Sequence, residues 1–73
     1  MSKPDFAVCI RNIGYEASLE LRKIYQVLPD DQAIKLGRIR VIDESGEDYL
    51  FPEDFFFRLK VPTSLALLLS EAA

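Results

Sequence analysis

Residues 38–61, RIRVIDESGEDYLFPEDFFFRLKV (Arg38 to Val61), decide the fold. Ile39 and Val41 alternate with Arg38 and Arg40, the period-2 pattern of a strand with one buried face. Asp43-Glu44-Ser45-Gly46-Glu47-Asp48 interrupts the apolar run, and Ser-Gly marks a tight turn because glycine accepts the positive φ that such turns need. Tyr49-Leu50-Phe51 resumes as a strand, and Pro52 ends it by removing a ladder donor. Pro-Glu-Asp suits a short 3₁₀ or helical turn, with its acids at the end where free N–H groups favour them. Strict alternation then predicts a last strand with Phe55, Phe57, Leu59 and Val61 on one face and Phe56, Arg58 and Lys60 on the other. Pro62 closes it.

Working outward, residues 1–5 read as a loose arm and residues 6–12, FAVCIRN, as a first strand. Phe6, Val8 and Ile10 share a parity and are expected inward; Ala7 and Cys9 are small enough for either face. Residues 12–18 form a polar connection containing Gly14. Leu19 to Leu28 admits a helix, since L-E-L-R-K is a good helix former. The β-rich I-Y-Q-V-L before Pro29 favours a strand instead, with Leu19, Leu21, Tyr25 and Val27 on one face and a bulge or bend near Arg22-Lys23. Asp30 is placed to cap a one- or two-turn helix that Gly37 stops. Thr63 or Ser64 can cap a last helix through Ala72. In it Leu65, Leu68 and Leu69 form a stripe that either covers an open barrel end or contacts a second copy or a partner.

The expected architecture is a mostly β, five-stranded antiparallel barrel of SH3-like type, with a short helical insert and a short C-terminal helix. The single domain spans 1–73: arm 1–5, barrel 6–61, helical tail 62–73. Closure would hide the sheet edges.

Composition bounds the function. The chain has 73 residues, three tyrosines and five phenylalanines, one cysteine and no histidine. A core of this size is marginal but feasible without staples. One cysteine excludes an internal disulfide framework, and Cys/His zinc chemistry is out of reach. Cys9 reads as a small strand residue in a reducing compartment. No signal peptide is visible, and the longest apolar run, Leu65 to Leu69, is far too short to span a bilayer. A cytoplasmic protein without a membrane partner is expected. The net charge of −3 gives no general drive toward nucleic acid.

Two charge groupings stand out. Asp43, Glu44, Glu47, Asp48, Glu53 and Asp54 read as solvated turns first and as a dock for a basic partner second; the spacing lacks the alternating ligands of a calcium loop. Arg22, Lys23, Arg38, Arg40, Arg58 and Lys60 read as cross-strand partners of outward carboxylates such as Glu20. The nucleic-acid alternative would interleave these bases with exposed aromatics, for which Phe56 and Tyr25 are the candidates.

The run GEDYLFPEDFF, Gly46 to Phe56, resembles the end of an SH3-like barrel: a strand finishing at an apolar-Pro pair, a 3₁₀ turn carrying an aromatic residue, then a short last strand. KIYQVL followed by RVIDESGEDYLFP also resembles small uncharacterised bacterial single-domain proteins. The resemblance buries Phe56 and leaves Phe55 at the surface, against the alternation. The proline-binding groove of peptide-binding SH3 domains is not reproduced. No tryptophan exists here, Asp5-Phe6-Ala7-Val8-Cys9 replaces the usual aromatic stretch, and only Pro52, Phe55 and the loop residue Tyr15 have counterparts.

The absence of histidine, of a glycine-rich phosphate loop and of a nucleophile beside a base argues against an enzyme and against cofactors. The expected function is a non-enzymatic protein-interaction or regulatory module. Its candidate surface is Tyr15, Tyr49, Pro52 and Phe55 with Asp48 and Asp54. Leu65, Leu68 and Leu69 are candidate contacts in a homo-oligomer. The alternatives are a small-barrel nucleic-acid binder and a purely structural oligomer subunit.

Overall fold

A computed structural model of the chain describes residues 5–71. Residues 1–4 of the expected arm, and Ala72 at the expected end of the tail, lie outside the described residues.

The strands are β1 (Asp5–Cys9), β2 (Ile24–Leu28), β3 (Arg38–Ile42), β4 (Asp48–Pro52) and β5 (Phe56–Leu59). A short helix α1 (Asp31–Lys35) precedes β3, a 3₁₀ turn (Glu53–Phe55) links β4 to β5, and α2 (Thr63–Glu71) follows β5. All pairings are antiparallel, in one sheet ordered β4-β3-β2-β1-β5. The mostly β class, the strand number and the two helical additions agree with expectation. The closure does not: among the described residues β4 and β5 do not pair, so both remain edges.

The sheet nevertheless curls on itself. Flat, its outer strands would lie about 19 Å apart, four spacings of about 4.8 Å. The rings of Phe51 on β4 and Phe56 on β5 instead meet at 6.1 Å. Ala7, Cys9, Tyr25, Val27, Ile39, Val41, Phe51 and Phe56 therefore form one core drawn from all five strands, joined by Leu19 from the long loop.

That crowding corrects the reading of β1. Phe6 and Val8 were expected inward with Ile10, yet Ala7 and Cys9 face the core and both are wholly buried. Aromatic rings from β2, β4 and β5 fill the space opposite β1, leaving room only for small side chains there. Phe6 is buried on the outer face, where Leu69 of α2 lies across a groove from Phe6, Ile24 and Ile42. Ile10 lies beyond the strand and is exposed.

β5 is corrected in the same way. Phe57 is 63% exposed while Phe56 is buried and Phe55 packs partly against the core. The 3₁₀ turn, closed by the Phe56 N–H donating to the Glu53 carbonyl, shifts the parity by one residue. Alternation does not survive such a slip.

The second strand is shorter than the expected Leu19–Leu28, but the bend falls where expected. The Arg22 N–H donates to the Cys9 carbonyl at 2.7 Å, and the Cys9 N–H donates to the Lys23 carbonyl at 2.9 Å. Two residues thus oppose one, a bulge whose first residue, Arg22, sits at φ +63°. Leu21, expected inward, is exposed on the turn before it. Glycine is the usual residue at this position, since an L side chain there costs about 1–2 kcal/mol. Glycine's extra chain entropy takes back about 0.5–1 kcal/mol. Arg22→Gly is therefore expected to stabilise the fold by up to about 1 kcal/mol in urea denaturation. A loss of stability would show that the Arg22 side chain contributes more than its backbone costs.

α1 and its caps are as read. The Asp30 carboxylate accepts from the Ala33 N–H at 3.0 Å, and Gly37 follows at φ +71°. In α2 the inward residue is Ala66, with Leu69 half-buried; Leu65 and Leu68 of the expected stripe are exposed. Leu69 places the helix beside the outer sheet face, and Ala66 is its wholly buried residue.

Candidate functional site

Two loops set the site. The β3–β4 turn is a three-residue hairpin loop: the Gly46 N–H donates to the Asp43 carbonyl at 3.0 Å, and the Asp43 N–H donates to the Glu47 carbonyl at 3.0 Å. Gly46 sits at φ +83°, the left-handed position such loops require. The Asp43 side chain completes the turn, its Oδ1 accepting from the Ser45 N–H at 2.8 Å and from the Ser45 hydroxyl.

The long β1–β2 loop folds back on this turn. Inside it, the Tyr15 carbonyl accepts from the Ser18 and Leu19 N–H groups, both at 2.9 Å. The Asn12 amide donates to the Leu19 carbonyl at 2.9 Å. Leu19 then drops into the core and anchors the loop.

A polar knot ties the two loops together. The Glu44 N–H donates to the Ser18 carbonyl at 3.1 Å. The buried Tyr25 hydroxyl accepts from the Glu20 N–H at 2.8 Å and donates to Glu44. Lys23 pairs with the same carboxylate at 2.7 Å. Lys23 and then the Tyr25 hydroxyl hold the Glu44 carboxyl below its ordinary range. Burial first, and the hydrogen bond to Glu44 second, push the Tyr25 phenol well above its own.

Above the knot, Tyr15, Ser18, Asp43, Ser45, Tyr49, Leu50 and Phe51 line a groove of about 330 Å³. Tyr15 stands edge-on to Phe51 at 5.3 Å and to Phe55 at 5.9 Å. The groove thus joins Tyr15 and Tyr49 directly, with Phe55 reached through Tyr15. Tyr49 is 49% exposed, and its hydroxyl donates to Glu47 at 3.3 Å. Glu47 foremost, with Asp43 and Asp48 behind it, raises the Tyr49 phenol above its ordinary value.

The other candidates lie elsewhere. Pro52 is half-buried at the end of β4. Asp48 is drawn to Arg40, whose guanidinium reaches Asp48 and Asp30, each at 2.8 Å. Asp54 faces Arg11 at 3.8 Å in an exposed pair. The carboxylate group therefore separates into individual partnerships, and no cluster suited to a metal ion occurs among the described residues. Leu65 and Leu68 stay exposed on α2, while Leu69 lines a second groove of about 410 Å³ with Phe6, Ile24 and Ile42.

Ser18, Ser45, Leu50 and Phe51 are the members of the groove that sequence reasoning missed, and Asp43 was named only within the acidic grouping. Asp43 carried a signal, because an Asp two residues before a Ser in a turn commonly folds its carboxylate back onto that residue's N–H. No helix among the described residues is long and apolar enough to cross a membrane. Compared with known proteins, the chain matches no family model, no curated protein and no solved structure.

Proposed function

We propose that the chain is a non-enzymatic protein-interaction module that holds a segment of a partner protein across Tyr15, Tyr49, Phe51 and Phe55. The observation that carries this reading is the groove itself. Tyr15 of the long loop and Tyr49 and Phe51 of β4 converge there, with Phe55 of the 3₁₀ turn packed behind Tyr15; the two tyrosine rings are open to solvent and the loops beneath are tied by hydrogen bonds. Rigid, half-exposed tyrosines give large contact area at small entropic cost, which is why they recur at binding surfaces. The Phe51-Pro52 pair, the 3₁₀ turn and buried Phe56 support the resemblance to small bacterial SH3-like barrels. A buried free thiol at Cys9 suits a cytoplasmic location. Against a nucleic-acid role, Arg40 and Lys23 are already engaged by carboxylates.

A displayed library of random peptides selected on the wild-type protein tests the reading. Selected segments should bind Tyr15→Ala and Tyr49→Ala at least about tenfold more weakly, the loss typical of aromatic anchors. Segments that bind both variants as well as wild type would place the interaction elsewhere.

A further inference from the structure

We propose that the Tyr15–Tyr49 groove receives one cationic side chain of the partner, an arginine, with Asp43 as its anionic contact. The inference rests on the interaction reading and names what the groove selects.

Asp43 is the buried charged residue among those described, 7% exposed, and it lines this groove as well as the second one, which Lys23 and Glu44 share. Its Oδ1 is held by Ser45, whereas its Oδ2 accepts no hydrogen bond among the described residues. No buried side-chain polar atom there is left without a partner, so Oδ2 meets solvent at the surface of its site. Beside it, Glu47 approaches the Tyr49 hydroxyl. The lining of the Tyr15–Tyr49 groove contains no lysine or arginine. The nearby cations are engaged elsewhere, Lys23 by Glu44 and Arg40 by Asp30 and Asp48.

An apolar ligand seated here would desolvate the Asp43 carboxylate without a counter-charge, which is costly. An anionic ligand would be repelled. A guanidinium satisfies each wall: its plane stacks on a tyrosine face, and its forked donors reach a carboxylate. The size of the groove, at the small end of ligand clefts, fits one side chain rather than a folded surface.

The test is an amide-shift NMR titration of the ¹⁵N-labelled full chain with N-acetyl-arginine amide, against N-acetyl-citrulline amide as the neutral isostere. Arginine amide should bind with millimolar affinity and shift Ser45 and Tyr49, with citrulline at least about tenfold weaker, as expected when a charge-assisted contact is removed. Asp43→Asn retains an oxygen for the Ser45 N–H, so the turn should persist, while arginine affinity falls by a similar factor. Glu47→Gln gives a smaller loss and guards against misfolding of the first variant. Equal response to the two amides, or an Asp43→Asn protein with a native spectrum and unchanged affinity, overturns the proposal. Library segments that need Tyr15 and Tyr49 but carry no basic residue would overturn it too, and leave the interaction reading standing. Arginine binding at the groove with no segment selected would do the reverse.

Discussion

Phe51→Ala is expected to lose about 3–5 kcal/mol, the usual cost of truncating a fully buried phenylalanine. The site shows why the loss should fall at the high end. Phe51 is among the largest fully buried side chains, and its ring touches Phe56 on the far edge strand and Tyr15 on the long loop. Truncation removes the contact through which β4 meets β5, where no backbone ladder substitutes for it. A 73-residue chain has only about 4–11 kcal/mol of stability in total. The variant should melt with lost cooperativity or far below wild type in circular dichroism. Phe57→Ala, at an exposed ring on the outer face, is the control and should change stability by no more than about 0.5 kcal/mol. Equal effects of the two substitutions would refute the curled-sheet account of the core.

Tyr25→Phe is expected to cost about 1–3 kcal/mol, because it strips a largely buried hydroxyl from the Glu20 N–H and from Glu44 while keeping the ring. Its pH dependence follows from the partners. The Glu44 carboxyl is held below its ordinary value, so its contribution is present above the unfolded carboxylate range and is lost as pH falls through the lowered value. The Tyr25 phenol is raised, so its contribution is complete below about pH 10, the ordinary tyrosine value, and declines as pH rises beyond it. Urea midpoints for wild type and Tyr25→Phe should therefore differ most between these limits and narrow on both sides, the Glu20 N–H contribution remaining at acid pH. A difference that stays constant through acid pH would mean that Glu44 carries none of the effect. Hydrogen exchange offers a local readout: amides of residues 18–20 should lose protection in the variant before those of β1 do.

The features legible in the sequence were those written locally. The Asp43–Gly46 turn, the Asp30 cap, the Gly37 stop and the bend at Arg22-Lys23 each depend on a few adjacent residues, and each is present. The inward pair Ile39 and Val41 was equally plain, because β3 alternates apolar with basic residues. β1 was not plain. Both of its faces are covered, one by the core and one beside α2, and an apolar run covered on both sides carries no parity. Alternation over Phe55 to Phe57 failed for a related reason, since three identical residues in a row leave the register to the turn before them, whereas the resemblance placed Phe56 inward, as found. The groove is non-local: Tyr15 and Tyr49 lie far apart in sequence and are brought together by the Tyr15–Phe51 ring contact and the knot at Tyr25 and Glu44.

The pairing of β5 with β1 gives the chain a nearly circular order. Every other neighbouring pair of strands is consecutive in sequence, and the exception sets Leu59 opposite Phe6, close to where the described chain begins. Linking those two ends and opening the backbone in the 3₁₀ turn between the unpaired β4 and β5, at the exposed Glu53 and Asp54, would leave each ladder intact. It would also turn the one pairing of high sequence separation into a local one. Slow closure between distant segments would then no longer gate assembly. The order in which the strands form is thus a property of where the ring is cut, separable from the shape it reaches.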